Sequence, residues 1–372
     1  MIQRTKFTLF VVLFFTSIYI FFLPISIVAQ NEKPYCPPLD SFKIFPHLPP
    51  TTQGYTGTCW SFAMVSLLES EHIRIHHDTT KFSEMWFAYY DFVGKINQIL
   101  ISPTDTFVEG SECNAILNCM TKFGAVPAYA YLGRTIESTF FDYSLMFEKL
   151  QLLVKKIKRT KNPNSLKIIK QCVKILDQTM TAPPTHFFDT ALKRTITPLE
   201  YSKEHLKLNP YDYYFFMSNS RLPFGQRGVL DEPDNWWRDK NYYNLPIELF
   251  IEALKEALMN GYSVVISGDL SEKTYQPHIP YSWFINEIDM SKMDSLRLTE
   301  KLSKKTEDDH SWHVIGYYKS KNGWWFYIKD SAFWDNPTNG YHFIHESYFI
   351  RKSVSMCMHK YAARSVMNGI IK

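Results

Sequence analysis

Apolar and polar positions divide the chain into an apolar start, a helical first half and a strand-rich second half. Arg4 and Lys6 precede an uncharged stretch from Phe7 to Ala29 that ends Ser26-Ile27-Val28-Ala29-Gln30. That order of parts fits a secretory signal cleaved after Ala29. The stretch is also just long enough to span a bilayer, so an uncleaved anchor is the alternative; Pro24 and the small Ala29 favour cleavage. No comparable apolar run follows, which predicts a soluble body that is exported: periplasmic, extracellular or on the outer face of the membrane.

From Cys59 to about His77, Phe62, Val65, Leu67, Leu68 and Ile73 recur at helical spacing behind a Gly57-Thr58 turn expected to cap the helix. Phe82-Ser83-Glu84-Met85 predicts an N-cap and a second helix through Tyr90. Gly110-Ser111-Glu112 opens a third, stopped at Lys122-Phe123-Gly124. Phe140 to Gln178 is amphipathic and broken by Asn162-Pro163-Asn164, the pattern of an inserted helical hairpin. Beyond Leu206 turn formers dominate, and Leu249–Asn260 is a further helix stopped by Gly261. Period-2 runs then predict strands at 263–267, 313–318, 324–329 and 340–344, with Lys321-Asn322-Gly323 as a hairpin turn. Helices leading and strands following predict an α+β protein of two packed lobes. The expected segments are 1–29 (signal or anchor), 30–135 (helical lobe), 136–205 (helical insertion) and 206–372 (β-rich lobe and tail).

Composition narrows the function. The 372 residues are 45% hydrophobic and 16% aromatic, enough for a substantial core. A net charge of +4 with no clustered patch gives no reason to expect a nucleic-acid partner; the basic run Lys155–Lys161 is the solvated face and end of a helix. Six cysteines (Cys36, Cys59, Cys113, Cys119, Cys172, Cys357) lie in a chain bound for a compartment that permits disulfides, and their spacing does not pair them. Cys113 and Cys119 fall in the third helix, pointing to different faces. No zinc-type Cys/His spacing occurs, and no cofactor is expected. His72, His76 and His77 include an i,i+4 pair, but with no third ligand nearby in sequence they read as a surface helix. Trp236-Trp237 and Trp324-Trp325 read as core.

The candidate chemistry centres on Cys59. A thiol attacks a carbonyl only as thiolate, and a helix N-terminus favours that anion. A histidine must take the proton and return it to the leaving group, and a third polar side chain should orient the imidazole.

Gln53-Gly54-Tyr55-Thr56-Gly57-Thr58-Cys59-Trp60-Ser61-Phe62-Ala63 resembles the nucleophile segment of the papain-like cysteine peptidases. The resemblance implies that Gln53 supplies an oxyanion donor. His310-Ser311-Trp312-His313-Val314-Ile315-Gly316-Tyr317 resembles the family's His-x5-Gly-Tyr strand, and Lys329-Asp330-Ser331 stands where the family has Lys-Asn-Ser. Spacing from Gly316 assigns the base to His310 and leaves His313 as a packed core histidine on the other face of the strand. The implied catalytic set is Cys59, His310 and Asp330 with Gln53. The helical insertion, Phe82–Met85, Gly124–Pro127, Pro233–Trp236 and Ser267–Glu272 resemble the bleomycin hydrolase and aminopeptidase C branch, especially its exported bacterial members. The resemblance spans about residues 35 to 361.

Three departures accompany it. Thr56 stands where papain has a disulfide-forming cysteine. Asp330 replaces the usual asparagine and should raise the histidine's pKa. Ala332 replaces a shielding tryptophan, so Phe333 or Trp334 takes over or the pair is wetter. In that branch the C-terminal carboxylate lies in the cleft and restricts the enzyme to substrate N-termini; the tail from Ala362 to Lys372 is the corresponding segment here. Peptides are the expected partners, an aminopeptidase the expected activity, and a homo-oligomer is compatible with it. Membrane attachment arises only if the N-terminal segment is uncleaved. The span Gln30–Thr52 is too short for an inhibitory prodomain. The competing readings are a catalytically impaired peptide-binding protein on the same scaffold, suggested by Asp330 and Ala332, and an acyltransferase.

Overall fold

The computed structural model describes residues 34–276, 278–284, 288–332 and 338–370; the N-terminal apolar stretch, Phe333 and Trp334 lie outside them. A short strand β1 (Lys43–Ile44) precedes α1 (Cys59–His76), α2 (Glu84–Ile101) and α3 (Asn114–Phe123). The predicted hairpin is α4 (Ser144–Arg159) and α5 (Ser165–Met180). Asn164 caps α5 by accepting the Lys167 N–H at 2.9 Å. A two-stranded ribbon, β2 (Phe187–Asp189) and β3 (Arg194–Ile196), leads through the turn α6 (Pro198–Glu200) into a π-helix over Tyr201–Leu206.

Two helix boundaries differ from expectation. Ser83 caps α2 as predicted, accepting the Trp86 N–H at 3.1 Å, but the helix runs eleven residues past Tyr90. Gly94 lies within it because a Cβ there would stand 2.8 Å from the Trp236 ring, so the glycine marks close packing and not a stop. Cys113 is the residue before α3 and not part of it.

The second half contributes β4 (Tyr213–Met217), β5 (Arg227–Gly228), β6 (Tyr242–Asn244), α7 (Ile247–Met259), β7 (Val264–Gly268), β8 (Tyr281–Ser282) and α8 (Met290–Leu302). It ends with β9 (His310–Ser320), β10 (Gly323–Lys329), β11 (Tyr341–His345), α9 (Glu346–Lys352), β12 (Ser353–His359) and α10 (Arg364–Ile370). Among the described residues these strands form one mixed sheet ordered β5-β6-β4-β12-β7-β9-β10-β11-β8, with β1 added to β9. The β9–β10 hairpin closes at the predicted turn, Ser320 opposite Gly323.

The sheet is covered on both faces. Alternate residues of β4 and β12 serve opposite cores: Phe215 and Cys357 join the cluster of Leu67, Phe92, Leu150 and Leu176, whereas Phe216, Met356 and Met358 join that of Leu254, Trp312 and Phe349. α1 thus lies buried between the other helices and the sheet, and its first residue emerges where β9 begins. No helix among the described residues is long and apolar enough to cross a membrane.

Candidate active site

Cys59 is the first residue of α1 and is partly exposed, unlike the residues that follow it. First-turn amides lack intrahelical partners, so the sulfur sits beside unpaired N–H groups at the positive end of the helix. The expected side-chain cap is absent: the Thr58 hydroxyl bonds the Thr56 hydroxyl at 2.5 Å instead, and the Thr58 carbonyl accepts the Ser61 N–H at 2.9 Å.

His310 opens β9, close enough to Cys59 for the thiol to contribute to raising the pKa of the imidazole. Its Nε2 donates to Asp330 Oδ1 at 2.8 Å, which leaves Nδ1 for the thiol. Burial of His310 alone would lower its pKa, but the Asp330 charge, that hydrogen bond and Cys59 outweigh it and hold the imidazole well above its usual value. The counterpart holds for Asp330: burial would raise its pKa, yet His310, Tyr275 and the Ala332 N–H keep it well below the carboxylate range.

Tyr275 and Trp312 complete this network, and neither was picked out by the sequence motifs. The Tyr275 hydroxyl donates to Asp330 Oδ2 at 2.6 Å and accepts from Trp312 Nε1 at 2.8 Å; the Ala332 N–H donates to Oδ1 at 2.9 Å. Every donor points toward the carboxylate, so the surroundings are built for aspartate and not for an amide, whose NH2 would face the Tyr275 oxygen. Trp312, fully buried, packs edge-on to His310 with ring centroids 5.1 Å apart. The His310–Asp330 pair is therefore dry despite Ala332: the two residues are 4% and 7% exposed. The shield comes from within the strand that carries the histidine. The alternation of β9 would have shown that Trp312 shares its face.

Gln53 is fixed from both sides. Its Nε2 donates to the Thr56 carbonyl at 2.6 Å, its Oε1 accepts from Ser331 Oγ at 2.8 Å, and its backbone N–H donates to the Ser331 carbonyl at 2.9 Å. The residue after the orienting aspartate thus sets the amide that follows the chain into the nucleophile helix. One N–H of the amide remains for an oxyanion. Gly54 shapes the loop: its φ is +63°, and a Cβ would lie 2.2 Å from the Phe141 carbonyl oxygen, which accepts the Tyr55 N–H. Replacing Gln53 by alanine is expected to lower kcat by about 10²–10³ with a smaller change in KM, measured on any peptide the protein hydrolyses.

His313 is on the opposite face of β9, its Nδ1 2.7 Å from Ser66 Oγ of α1, fully buried and held well below its usual pKa chiefly by burial. It is a core histidine, as spacing predicts. Trp325 is core, and Trp236 bonds Asp91 and Ser111 across the helical half. Among the described residues, Cys59, Cys113, Cys119, Cys172 and Cys357 form no disulfide.

Next to the dyad lies a carboxyl pair. Glu112 precedes Cys113, whose sulfur is 3.7 Å from the Trp60 carbonyl and 3.8 Å from Ser311 Oγ, neighbours of Cys59 and His310. Burial and the charge of Asp234 push Glu112 up to about 8; burial and Glu112 raise Asp308, hydrogen-bonded to it, well above its usual value. Both carboxyls are thus pushed toward their neutral forms. The described part of the C-terminal tail, through Ile370, packs on α7: the Ala362 carbonyl accepts from Asn260 at 2.9 Å, and the Ser365 and Val366 N–H groups donate to Glu256, both on or at the end of that helix.

Comparison with known proteins sets this geometry in context. No family model and no curated protein matches the chain. Among solved structures, PepW from Lactobacillus rhamnosis HN001 (DR20) superposes on 92% of this chain and 86% of its own with a TM-score of 0.70, at 15% identity. The chain has the papain-like cysteine peptidase fold. A looser likeness, at a TM-score of 0.40 and 13% identity, is to the cysteine protease and lectin-like domains of Cwp84 from Clostridium difficile, over 84% of this chain and 49% of that one.

Proposed function

We propose that this protein is an exported cysteine peptidase that forms an acyl-enzyme on Cys59 and acts as an aminopeptidase. The observation that carries the proposal is the line Cys59–His310–Asp330 at the head of a buried helix, with the Gln53 amide clamped beside it. Cys59 thiolate attacks the scissile carbonyl carbon, and the C=O electron pair moves to oxygen, held by the Gln53 amide and the Cys59 N–H. His310 protonates the departing nitrogen. Water, deprotonated by His310, then attacks the thioester carbonyl, the C–S bond breaks to release the acid, and the thiolate–imidazolium pair returns. Export rests on the sequence of residues 1–29.

The exopeptidase element rests on the branch resemblance. A substrate's terminal ammonium needs a carboxylate, and the described tail, through Ile370, is engaged with α7. Glu112 and Asp308 are the carboxyls that would serve in its place, ionised by the arriving ammonium; Asp308 Oδ2 is buried without a hydrogen-bond partner. The test is time-resolved mass spectrometry of free and N-acetylated peptides incubated with the chain from Gln30 onward. Stepwise loss of single residues from free N-termini only is the expected result, with Glu112→Gln raising KM for those peptides about tenfold or more. Internal cuts in both peptide sets would refute the exopeptidase element while leaving the peptidase intact; absence of all cleavage would refute both. Products extended by an added amine would identify an acyltransferase.

A further inference from the structure

Three side chains far apart in sequence converge at the other end of α1. His72 lies in its last turns, Asp78 in the loop beyond, and His205 in the π-helix of the insertion. One ligand atom from each lies within 4.8 Å of the others. His72 Nε2 is 3.3 Å and His205 Nε2 3.2 Å from the same oxygen, Asp78 Oδ2.

The partners of the other ring nitrogens decide what these atoms are. His72 Nδ1 faces the Leu206 carbonyl at 3.2 Å, and His205 Nδ1 faces Asp189 Oδ2 at 2.9 Å. Both partners only accept, Asp189 being a fully buried carboxylate, so both Nδ1 atoms carry the proton. A neutral imidazole then presents a bare lone pair at Nε2. With Nδ1 so engaged, each Nε2 is turned toward Asp78 Oδ2, which also accepts from the Thr80 hydroxyl at 3.1 Å. Ligand atoms from three separate segments thus converge on one point, with both imidazoles held from behind by a second partner. Nearby, the His76 ring is 4.9 Å from that of His72, with its Nε2 buried and without a partner.

We propose that His72, Asp78 and His205 form a transition-metal site, with Zn²⁺ the fitting ion, that fastens the C-terminal end of the nucleophile helix to the helical insertion. Two imidazoles and a carboxylate are a donor set suited to zinc, and three protein ligands leave a fourth position open. Each histidine is oriented through its far nitrogen, His205 by a buried carboxylate and His72 by a main-chain carbonyl, the arrangement that fixes ligand tautomers at zinc sites. His72 of the i,i+4 pair was visible in the sequence; the second and third ligands come from a loop and from a residue 133 positions after it. A π-turn, of the kind often found at functional sites, places His205.

The experiment titrates Zn²⁺ and Co²⁺ into the full chain carrying Cys59→Ser, because a thiolate beside an imidazole binds such metals too. One equivalent should bind, with Co²⁺ giving a visible spectrum of nitrogen and oxygen ligands and no sulfur charge-transfer band. Zn²⁺ should raise the melting temperature by several degrees. Asp78→Asn, a near-isosteric change at a half-exposed residue, and His205→Gln should each weaken binding at least 100-fold and remove the thermal shift. If His205→Gln fails to fold for want of its bond to Asp189, Asp78→Asn alone decides. Absence of saturable binding, a sulfur band, or binding unchanged in folded Asp78→Asn would overturn the site.

Discussion

Cys59→Ser is expected to lower hydrolysis of amino-terminal fluorogenic peptides by roughly 10⁵-fold or more and to abolish labelling by an epoxide inhibitor of papain-like enzymes. The size of the effect follows from the proton inventory of the site. Asp330 holds His310 as imidazolium, so the histidine is poised to stabilise an anion already formed and not to remove a proton during attack. A cysteine meets that condition, because a thiol is a far stronger acid than a hydroxyl and a helix N-terminus favours its anion. A serine hydroxyl does not ionise there, and its general base is already protonated. The substitution is nearly isosteric at a partly exposed position, so circular dichroism and melting temperature should be unchanged. Retention of more than about 1% of activity, or a wild-type protein inert to substrate and epoxide alike, would remove the peptidase reading. Binding of peptides by an inert wild type, surviving Cys59→Ala, would establish the peptide-binding alternative.

The parts of this site that were legible in the sequence are those where chemistry and local geometry coincide. Cys59 begins a helix whose apolar spacing is clear. His310 is separated from His313 by the period of a strand. Lys321-Asn322-Gly323 brings Asp330 back alongside His310 because a tight turn fixes register. Tyr275 and Ser331 were not legible as working residues, since each acts through hydrogen bonds to residues distant in sequence, whereas the alternation of β9 places Trp312 on the face of His310. β4 and β12 escaped notice for a different reason. Both are buried on both faces, so they lack the polar alternation that marks a half-exposed strand. α2 continues past Tyr90 through Gly94, whose presence in mid-helix is explained by the Trp236 ring above it. His72 was read as surface because Asp78 and His205 lie in a loop and an irregular helix that no periodicity announces.

The helical insertion has a mechanical relation to the reaction centre at both ends of α1. At the N-terminal end, the Phe141 carbonyl accepts the Tyr55 N–H at 2.8 Å and the Tyr143 N–H donates to the Tyr55 carbonyl at 3.1 Å, which fixes the loop between Gln53 and Cys59. At the C-terminal end, His205 and Asp189 of the insertion meet His72 and Asp78. A buried helix gripped at both termini carries its first residue with little freedom, and the oxyanion donors and the nucleophile are positioned by the same contacts. Precise placement of reacting groups is worth several powers of ten in rate, which gives the insertion a catalytic consequence without contact with substrate.

Asp330→Ala should cost about 10³–10⁴ in kcat, and Asp330→Asn should cost less but move the pH profile. The sign follows from the two raised and lowered groups. Active protein needs Cys59 as thiolate and His310 protonated, so the acid limb of kcat/KM reports formation of the pair and the alkaline limb reports loss of the imidazolium proton. The Asp330 charge is the largest contribution that raises His310 against burial. Removing it lowers the histidine's pKa, and the alkaline limb must shift to lower pH. The asparagine keeps a hydrogen-bond acceptor for Nε2 and so keeps the ring oriented; alanine keeps neither charge nor orientation. Stability follows the same linkage. Asp330, depressed in the folded state, contributes above the unfolded carboxyl pKa and loses that contribution as pH falls; His310, raised, contributes below about 6.5 and loses it as pH rises through its folded value. Wild type should therefore show a stability plateau between those limits in melting temperature against pH. In Asp330→Ala the plateau should drop by about 3–5 kcal/mol, since one member of a buried pair is left alone, and the Tyr275 proton loses its acceptor. An alkaline limb that stays in place in Asp330→Asn would show that the carboxylate does not charge the histidine, and the ion-pair basis of the mechanism would fail with it.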